Sequence, residues 1–523
     1  MAEGKGYRLL NEPGEIEANQ YPPLLPAIIA AHQLALGTND PIVVGRWLRI
    51  FYFLIFNVYI LTIYLMTRSH LPLTYALLVA LVCLFNTPTY FLSDLCFPEI
   101  PFALATTLFV LCNRNGDKWA YGVLAALLAV AAFALRTTGT ALFAAWVGES
   151  VFKRDIKRAA LRLGVASVAV FGWVLYISAV ESGERYTNPA YAYQRADYLY
   201  YNVSYTRNIF RLKEPFAPEL GPLSFSDIAA RCLRNLKVIP VSLGEVLSSK
   251  KRLWEVEWKT LSQFSPLHLD APWVVDLALI TLGCVTLGGV TLLCAERQWI
   301  TLFYILFSLA SICLTPWPEQ FTRYLMPLAP FLALAFFTML LKLQEWFRKI
   351  FPVRWGRAGR MLTGAMVAVI FLQQSVTLYL VYRKWHQKVV YSGWNDEPVA
   401  YHLFFYHDAQ RAFDGGIDWL KSRAKPGEVV ASSMPHWVYL RTGLKSVMPP
   451  FELDTAKAQR LLDSIPVDYM IVDEGLALDT RKYTLPVVQT FIDQWRIVYS
   501  DSLIKDTDEP LEGRFEIYQR VHQ

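Results

Sequence analysis

Two carboxylates and two arginines stand at the ends of apolar runs, where charge is costly. Asp94 and Glu99 fall in FLSDLCFPEIPFALATTLFVL (91–111), and either could take a proton from a hydroxyl group. Arg136 lies in ALRTTGTALF (134–143) and Arg323 in EQFTRYLMPLAPFLAL (319–334). A guanidinium stays charged and grips phosphate through paired hydrogen bonds, so either arginine could hold a phosphate group. A carboxylate at membrane depth costs about 2.5–3.5 kcal/mol, which makes Glu99, one residue after Pro98, a functional candidate. The competing explanation for both carboxylates is plain solvation, with Glu99 helped by the positive end of its helix. For the arginines it is snorkelling to lipid headgroups. Tyr324 after Arg323, and the bends expected at Pro327 and Pro330, favour a built site at Arg323, whereas Arg136 fits an anchor better.

Other polar groups are more ambiguous. In QYPP, Tyr21 could hydrogen-bond a phosphate but not neutralise it, while Pro22 and Pro23 suit the start of a helix. The tyrosine-rich stretch NPAYAYQRADYLYYNVSYTRNIF (188–210) includes Arg195 and Arg207. Aromatic rings line membrane interfaces and also stack on sugars; an interface belt is the leading reading, with sugar or acceptor contacts second. Asn202-Val203-Ser204 matches a glycosylation sequon. His402, His407 and Asp408 are poorly spaced for one metal. With no phosphate loop, His-Glu-x-x-His or serine elbow, no cofactor is expected, and a divalent metal stays open.

The elements that must position these groups follow from composition. The chain has 523 residues, 54% hydrophobic and only 18% charged, the balance of a multi-pass membrane protein. The net charge of +6 comes from short basic loops between apolar runs, an orientation signal that excludes a nucleic-acid partner. A bilayer core needs about 20 apolar residues, and about ten stretches qualify or nearly so: 43–66, 71–88, 98–112, 119–135, 139–152, 159–180, 272–294, 299–316, 324–342 and 361–382. The runs 98–112 and 139–152 are short. Arg68, Arg114 with Lys118, KRDIKR (153–158), Arg297 and the basic loop at 348–360 fall on alternate turns, which assigns those turns to the cytoplasm. The turns carrying Glu99, Arg136 and Arg323, the long loop 181–271, and everything after 383 are then outside, as are residues 1–42. A preceding helix would deliver such a polar N-terminus across the bilayer, so one helix before Met1 is expected. Residues 224–248 could form an amphipathic helix at the interface. Beyond about 400 the pattern changes to helix, Pro-Gly turn and strand, repeated in AKAQRLLDSIPVDYMIVDEG and followed by QWRIVYSD and RFEIYQR: a small α/β domain with VDYMIVDEG as a buried strand.

Four segments carry a family resemblance. EGKGYRLLNEPGE followed by QYPPLLPAIIA (3–30), the Asp94–Glu99 turn, the Arg136 turn and the Arg323 turn resemble, in order, the outer turns of polyprenyl-phosphate-sugar-dependent glycosyltransferases with the GT-C fold. The tail resembles the extracytoplasmic domain of bacterial members, relatives of protein O-mannosyltransferases and lipid A aminoarabinose transferases. The resemblance implies a mainly α, GT-C-like bundle with a C-terminal α/β domain: an N-terminal outer loop (1–42), a transmembrane domain (43–382) and an extracytoplasmic domain (383–523). It implies a protein of the bacterial inner membrane that moves a sugar, with inversion, from a polyprenyl-phosphate donor to a lipid, glycan or protein acceptor. Catalytic roles would fall to Glu99 and Asp94, and substrate contacts to Tyr21, Arg136, Arg195, Arg323 and Tyr324. Two departures matter. The family's usual base, an aspartate upstream of the glycine-tyrosine stretch, would precede Met1, and aminoarabinose transferases carry lysine where Tyr21 stands. A catalytically impaired or non-catalytic member is therefore one alternative. A transporter is another, less well matched because the spans hold few interior charges.

Overall fold

A computed structural model describes residues 1–264, 272–350, 355–394, 396–404, 406–475, 479–504 and 513–521. The apolar stretches fold as helices: Pro41–Arg68, Leu73–Phe85 with Thr87–Asp94, Glu99–Arg114, Trp119–Leu135, Thr140–Phe152, Ile156–Glu181, Pro272–Ala295, Trp299–Cys313, Ala329–Ile350 and Trp355–Leu380. Among the described residues five helical segments are long and apolar enough to cross a bilayer, six if the pair bent by 54° at Asn86 counts as one. The chain is a mainly α, multi-pass membrane protein. Four of the expected spans are shorter than a full crossing: Glu99–Arg114, Trp119–Leu135, Thr140–Phe152 and Trp299–Cys313. Packing against neighbours offsets this, since Glu99–Arg114 buries most of its side chains.

The chain divides into two compact units. The first consists of residues 49–172 and 228–384 and holds the helical bundle. Helix Pro272–Ala295 lies so close to Ala329–Ile350 that a Cβ on Gly289 would collide with the Ala335 carbonyl. Helix Phe225–Leu247 is amphipathic as expected. Its buried face carries Asn235, whose Nδ2 donates to the carbonyls of Cys313 and Thr315 at 2.9 Å, capping the end of Trp299–Cys313. Away from Glu99, the bundle is tied by Glu149, which accepts from Asn113 Nδ2 (2.9 Å), Lys153 Nζ (2.9 Å) and Arg162 Nη1 (3.0 Å).

The second unit gathers residues 1–48, 173–227 and 385–523. Its five-stranded sheet has the order β4-β3-β5-β7-β6, from β3 (Val429–Ala431), β4 (Lys445–Val447), β5 (Val467–Asp473), β6 (Trp495–Ile504) and β7 (Gly513–Arg520). β3 runs parallel to β4 and β5, and β7 is antiparallel to β5 and β6. A separate hairpin joins β1 (Gln387–Ser392) and β2 (Pro398–Leu403). Strand alternation assigns the two faces: Tyr469 and Ile471 pack with Phe413 and Ile417 of helix Asp408–Arg423, while Met470 and Val472 face the opposite cluster.

That opposite cluster corrects the reading of the tyrosine-rich stretch. Tyr191, Tyr193 and Leu199 are buried in the sheet core with Val467 and Trp495 and do not form an interface belt. Asn202 of the sequon is also buried, and its Nδ2 donates to the Gln194 carbonyl at 3.0 Å, so no glycan fits there. His402 lies in β2 and His407 caps the next helix.

The N-terminal segment completes this unit. The Asn11 carbonyl accepts from Ser446 N (2.8 Å) and Asn11 Nδ2 donates to the Ser446 carbonyl (3.0 Å), closing the edge of β4. Glu12 is buried and accepts from Tyr191 Oη (2.8 Å) and Gln194 Nε2 (3.1 Å); burial raises its pKa despite those hydrogen bonds. His436 Nδ1 pairs with Asn11 Oδ1 at 2.9 Å, whereas its Nε2 is buried with no hydrogen-bond partner. Burial pushes the His436 pKa from 6.5 down to about 4. Between those values the unfolded chain binds the extra proton, so this contribution falls as pH drops from 6.5 towards 4. We expect His436→Gln to flatten that acid slope, as read by denaturant unfolding at pH 7.5 and 4.5; an unchanged slope would rule His436 out as its source.

Candidate functional site

Glu99 opens helix Glu99–Arg114 directly after Pro98, and its side chain is 0% exposed. Arg136 extends from the end of Trp119–Leu135, where the chain turns through the 3-10 segment Thr137–Gly139. This turn requires glycine: a Cβ on Gly139 would stand 2.6 Å from Phe133 Cα. Arg323 sits in the short helix Phe321–Leu325, flanked by the 3-10 turns Pro318–Gln320 and Met326–Leu328. Prolines in both 3-10 turns hold the chain in this stepped form.

These three turns meet. Arg323 Nε donates to Glu99 Oε1 at 2.6 Å, and Arg136 Nη1 lies 2.8 Å from the same oxygen. The second is an ion-pair contact only, because buried Arg136 Nη1 makes no hydrogen bond. Glu99 Oε2 is likewise buried and makes none. Aromatic rings cover the guanidiniums: Arg323 Cζ is 4.5 Å from the Phe97 ring centre and Arg136 Cζ 5.8 Å from that of Tyr324. Two guanidiniums share one carboxylate, so the cluster holds a surplus of one positive charge.

Phe97 links this cluster to a second pair. Its carbonyl accepts from Tyr52 Oη at 2.6 Å, and nearby Asp94 is ion-paired with Arg49. Thr322, next to Arg323, donates to Glu245 Oε2 at 2.6 Å, and Glu245 Oε1 accepts from Lys251 N at 2.7 Å, which pins the Arg323 turn to helix Phe225–Leu247. Of the sequence candidates, Glu99, Arg136, Arg323 and Tyr324 come together. Arg136 is part of the cluster and not merely a lipid anchor. Tyr21 and Arg195 belong to the other unit. Tyr21 donates to Tyr200 Oη at 2.9 Å; Arg195 is buried, bonded to the Asn202 carbonyl, and lies 4.3 Å over the Tyr186 ring. Arg49, Phe97 and Glu245 were not singled out from the sequence. Arg49 alone left a trace there, as a charge early in an apolar run. No group of three or more His, Cys, Asp and Glu side chains converges among the described residues.

Because Gly139 carries the turn after Arg136, Gly139→Ala should move Arg136 off Glu99. Overpacking of this kind costs about 1–3 kcal/mol. Thermal unfolding should report the loss; an unshifted transition would mean that the turn yields without strain.

No protein-family model matches the chain, and the search of curated proteins gives no match. Among solved structures, the chain is similar to the Archaeoglobus fulgidus oligosaccharyltransferase tethered to an acceptor peptide containing the NVT sequon. The TM-score is 0.46 and the sequence identity 11%, over 94% of this chain and 67% of that one.

Proposed function

We propose that the chain is a membrane glycosyltransferase that moves a sugar from a polyprenyl-phosphate donor to a hydroxyl acceptor on a lipid, glycan or protein. The observation that carries this reading is the buried, net-positive cluster of Glu99, Arg136 and Arg323, set at the ends of short apolar helices. In the proposed reaction the acceptor oxygen attacks the anomeric carbon and inverts it. The bond to the phosphate oxygen breaks, and its electron pair leaves with the lipid phosphate. Arg323 and Arg136 neutralise that charge as it develops. Glu99 Oε1 orients the two arginines, which leaves Oε2 as the atom able to take the hydroxyl proton. Asp94, paired with Arg49, serves less well. Arg114 ends the helix that Glu99 opens, so a basic residue stands at the far end from the cluster, which supports an extracytoplasmic site.

A second reading, binding of the lipid phosphate without transfer, is favoured by one observation: both candidate bases are already ion-paired. The full chain in lipid nanodiscs, given a polyprenyl-phosphate sugar and its acceptor, separates the two. Release of free polyprenyl phosphate supports transfer; tight binding without release supports the second reading; neither one removes both.

A further inference from the structure

We infer that helix Phe225–Leu247 carries a binding surface for anionic lipid headgroups, built from Leu233, Arg234, Leu236 and Lys237, and that lipid held there fixes the Arg323 turn; the second clause rests on the transfer reading above. Leu236, Pro240 and Gly244 recur at every fourth residue and so share one helical face, with Leu233 beside them. At its far end this face seats on the segment Trp273–Ala295, which is long and apolar enough to cross a bilayer. A Cβ on Gly283 would stand 1.9 Å from the Pro240 carbonyl oxygen, and one on Gly244 2.3 Å from that of Leu279, so the two backbones touch. Ahead of Pro240 the same apolar face is uncovered: Leu233 and Leu236 are 63% and 53% exposed. Beside a membrane span, what covers such a face is lipid. Arg234 and Lys237, one turn apart at its edge, are exposed, and neither is ion-paired among the described residues. Two such cations edging an apolar stripe match negatively charged headgroups.

The helix also grips the chain on both sides of the segment that leads to Arg323. Ahead of Pro240, Arg231 Nη1 donates to the Leu314 carbonyl (3.2 Å) and Asn235 Nδ2 to those of Cys313 and Thr315 (2.9 Å each). Beyond Pro240, Glu245 Oε2 accepts from Thr322 Oγ1 (2.6 Å), next to Arg323. Pro240 lies inside the helix and has no amide hydrogen, so a backbone hydrogen bond is missing between the two grips, where a helix bends. A bend there changes the separation of the grips, and with it the placement of the Arg323 turn. Lipid bound ahead of Pro240 sets that angle.

The test uses the full chain in nanodiscs of phosphatidylcholine, with phosphatidylglycerol replacing an increasing share of the lipid. A photo-crosslinking benzoylphenylalanine in place of Leu236 should form adducts enriched in phosphatidylglycerol, and Arg234→Gln/Lys237→Gln should remove the enrichment. Initial rates of polyprenyl phosphate release should rise about fivefold or more with phosphatidylglycerol, and less so at high salt. The Arg234→Gln/Lys237→Gln protein should keep its rate in phosphatidylcholine and lose the rise. Adducts with no lipid, or with no preference for the anionic one, would overturn the binding surface. A preference for phosphatidylglycerol with an unchanged rate would overturn the coupling to Arg323. Transfer absent from every nanodisc would remove the transfer reading and the coupling with it, while the adducts would still decide the lipid surface.

Discussion

Arg323→Ala is expected to lower release of polyprenyl phosphate by about 10²–10³-fold, the cost of losing one preorganised donor to a developing oxyanion. The geometry makes this a test of chemistry and not of folding. Arg323 is the most exposed member of the cluster, with 36% of its side chain accessible, against 13% for Arg136 and 0% for Glu99. Removing it leaves Glu99 paired with Arg136, so no buried charge is stranded, and the surplus positive charge is gone. Arg323→Lys should recover only part of the rate, because an ammonium restores the charge and not the planar fork that Nε presents to Glu99. Initial rates across donor concentration, with circular dichroism as a control, decide it. A rate unchanged in the folded Arg323→Ala protein would detach this residue from the reaction.

The largest effect on stability is expected at Asp414→Ala in the α/β unit. Asp414 is buried at 7% exposure and accepts from Tyr391 Oη and Tyr406 Oη (both 2.9 Å), Trp437 Nε1 (2.8 Å) and Arg441 Nη1 (3.2 Å). These donors come from the β1–β2 hairpin region and from helix Pro435–Thr442, so one carboxylate fastens both to helix Asp408–Arg423. Its loss leaves Arg441, 1% exposed, with Asp418 as its remaining carboxylate partner among the described residues. Breaking such a buried pair costs about 3–5 kcal/mol. Chemical denaturation of the full chain, with protease sensitivity of the 385–523 region as a second probe, should show that loss. A change below about 1 kcal/mol would mean that the network is not a fastening point.

The helical unit was largely legible because a bilayer imposes one rule: each crossing reads as a long apolar run, and the described helices fall on those runs. VDYMIVDEG was legible as a buried strand from its short apolar run, and β5 is buried almost throughout. The β1–β2 hairpin left no such trace: its strands alternate in burial, but the apolar Val390 and Ala400 fall on exposed positions and hide that alternation in the sequence. Tyr191 and Tyr193 were misread because an aromatic ring has the same composition in a membrane belt and in a protein core; only the partner surface, here the sheet, separates the two. Glu99, Arg136 and Arg323 were each visible as misplaced charges. That they share one oxygen was not, because their meeting depends on three helix ends packing together and on Gly139 letting the Arg136 turn close.

The most direct measurement is equilibrium binding of polyprenyl phosphate and of the corresponding polyprenol to the full chain in nanodiscs, for the unaltered protein and for the Arg136→Ala/Arg323→Ala double variant. The surplus charge at Glu99 should make the phosphate bind at least about tenfold more tightly than the alcohol, one charge-assisted hydrogen bond being worth that much, and the double variant should lose the preference. Equal binding of the two lipids, or a phosphate preference that survives removal of both arginines, would contradict the assignment of this cluster as the lipid-phosphate receptor.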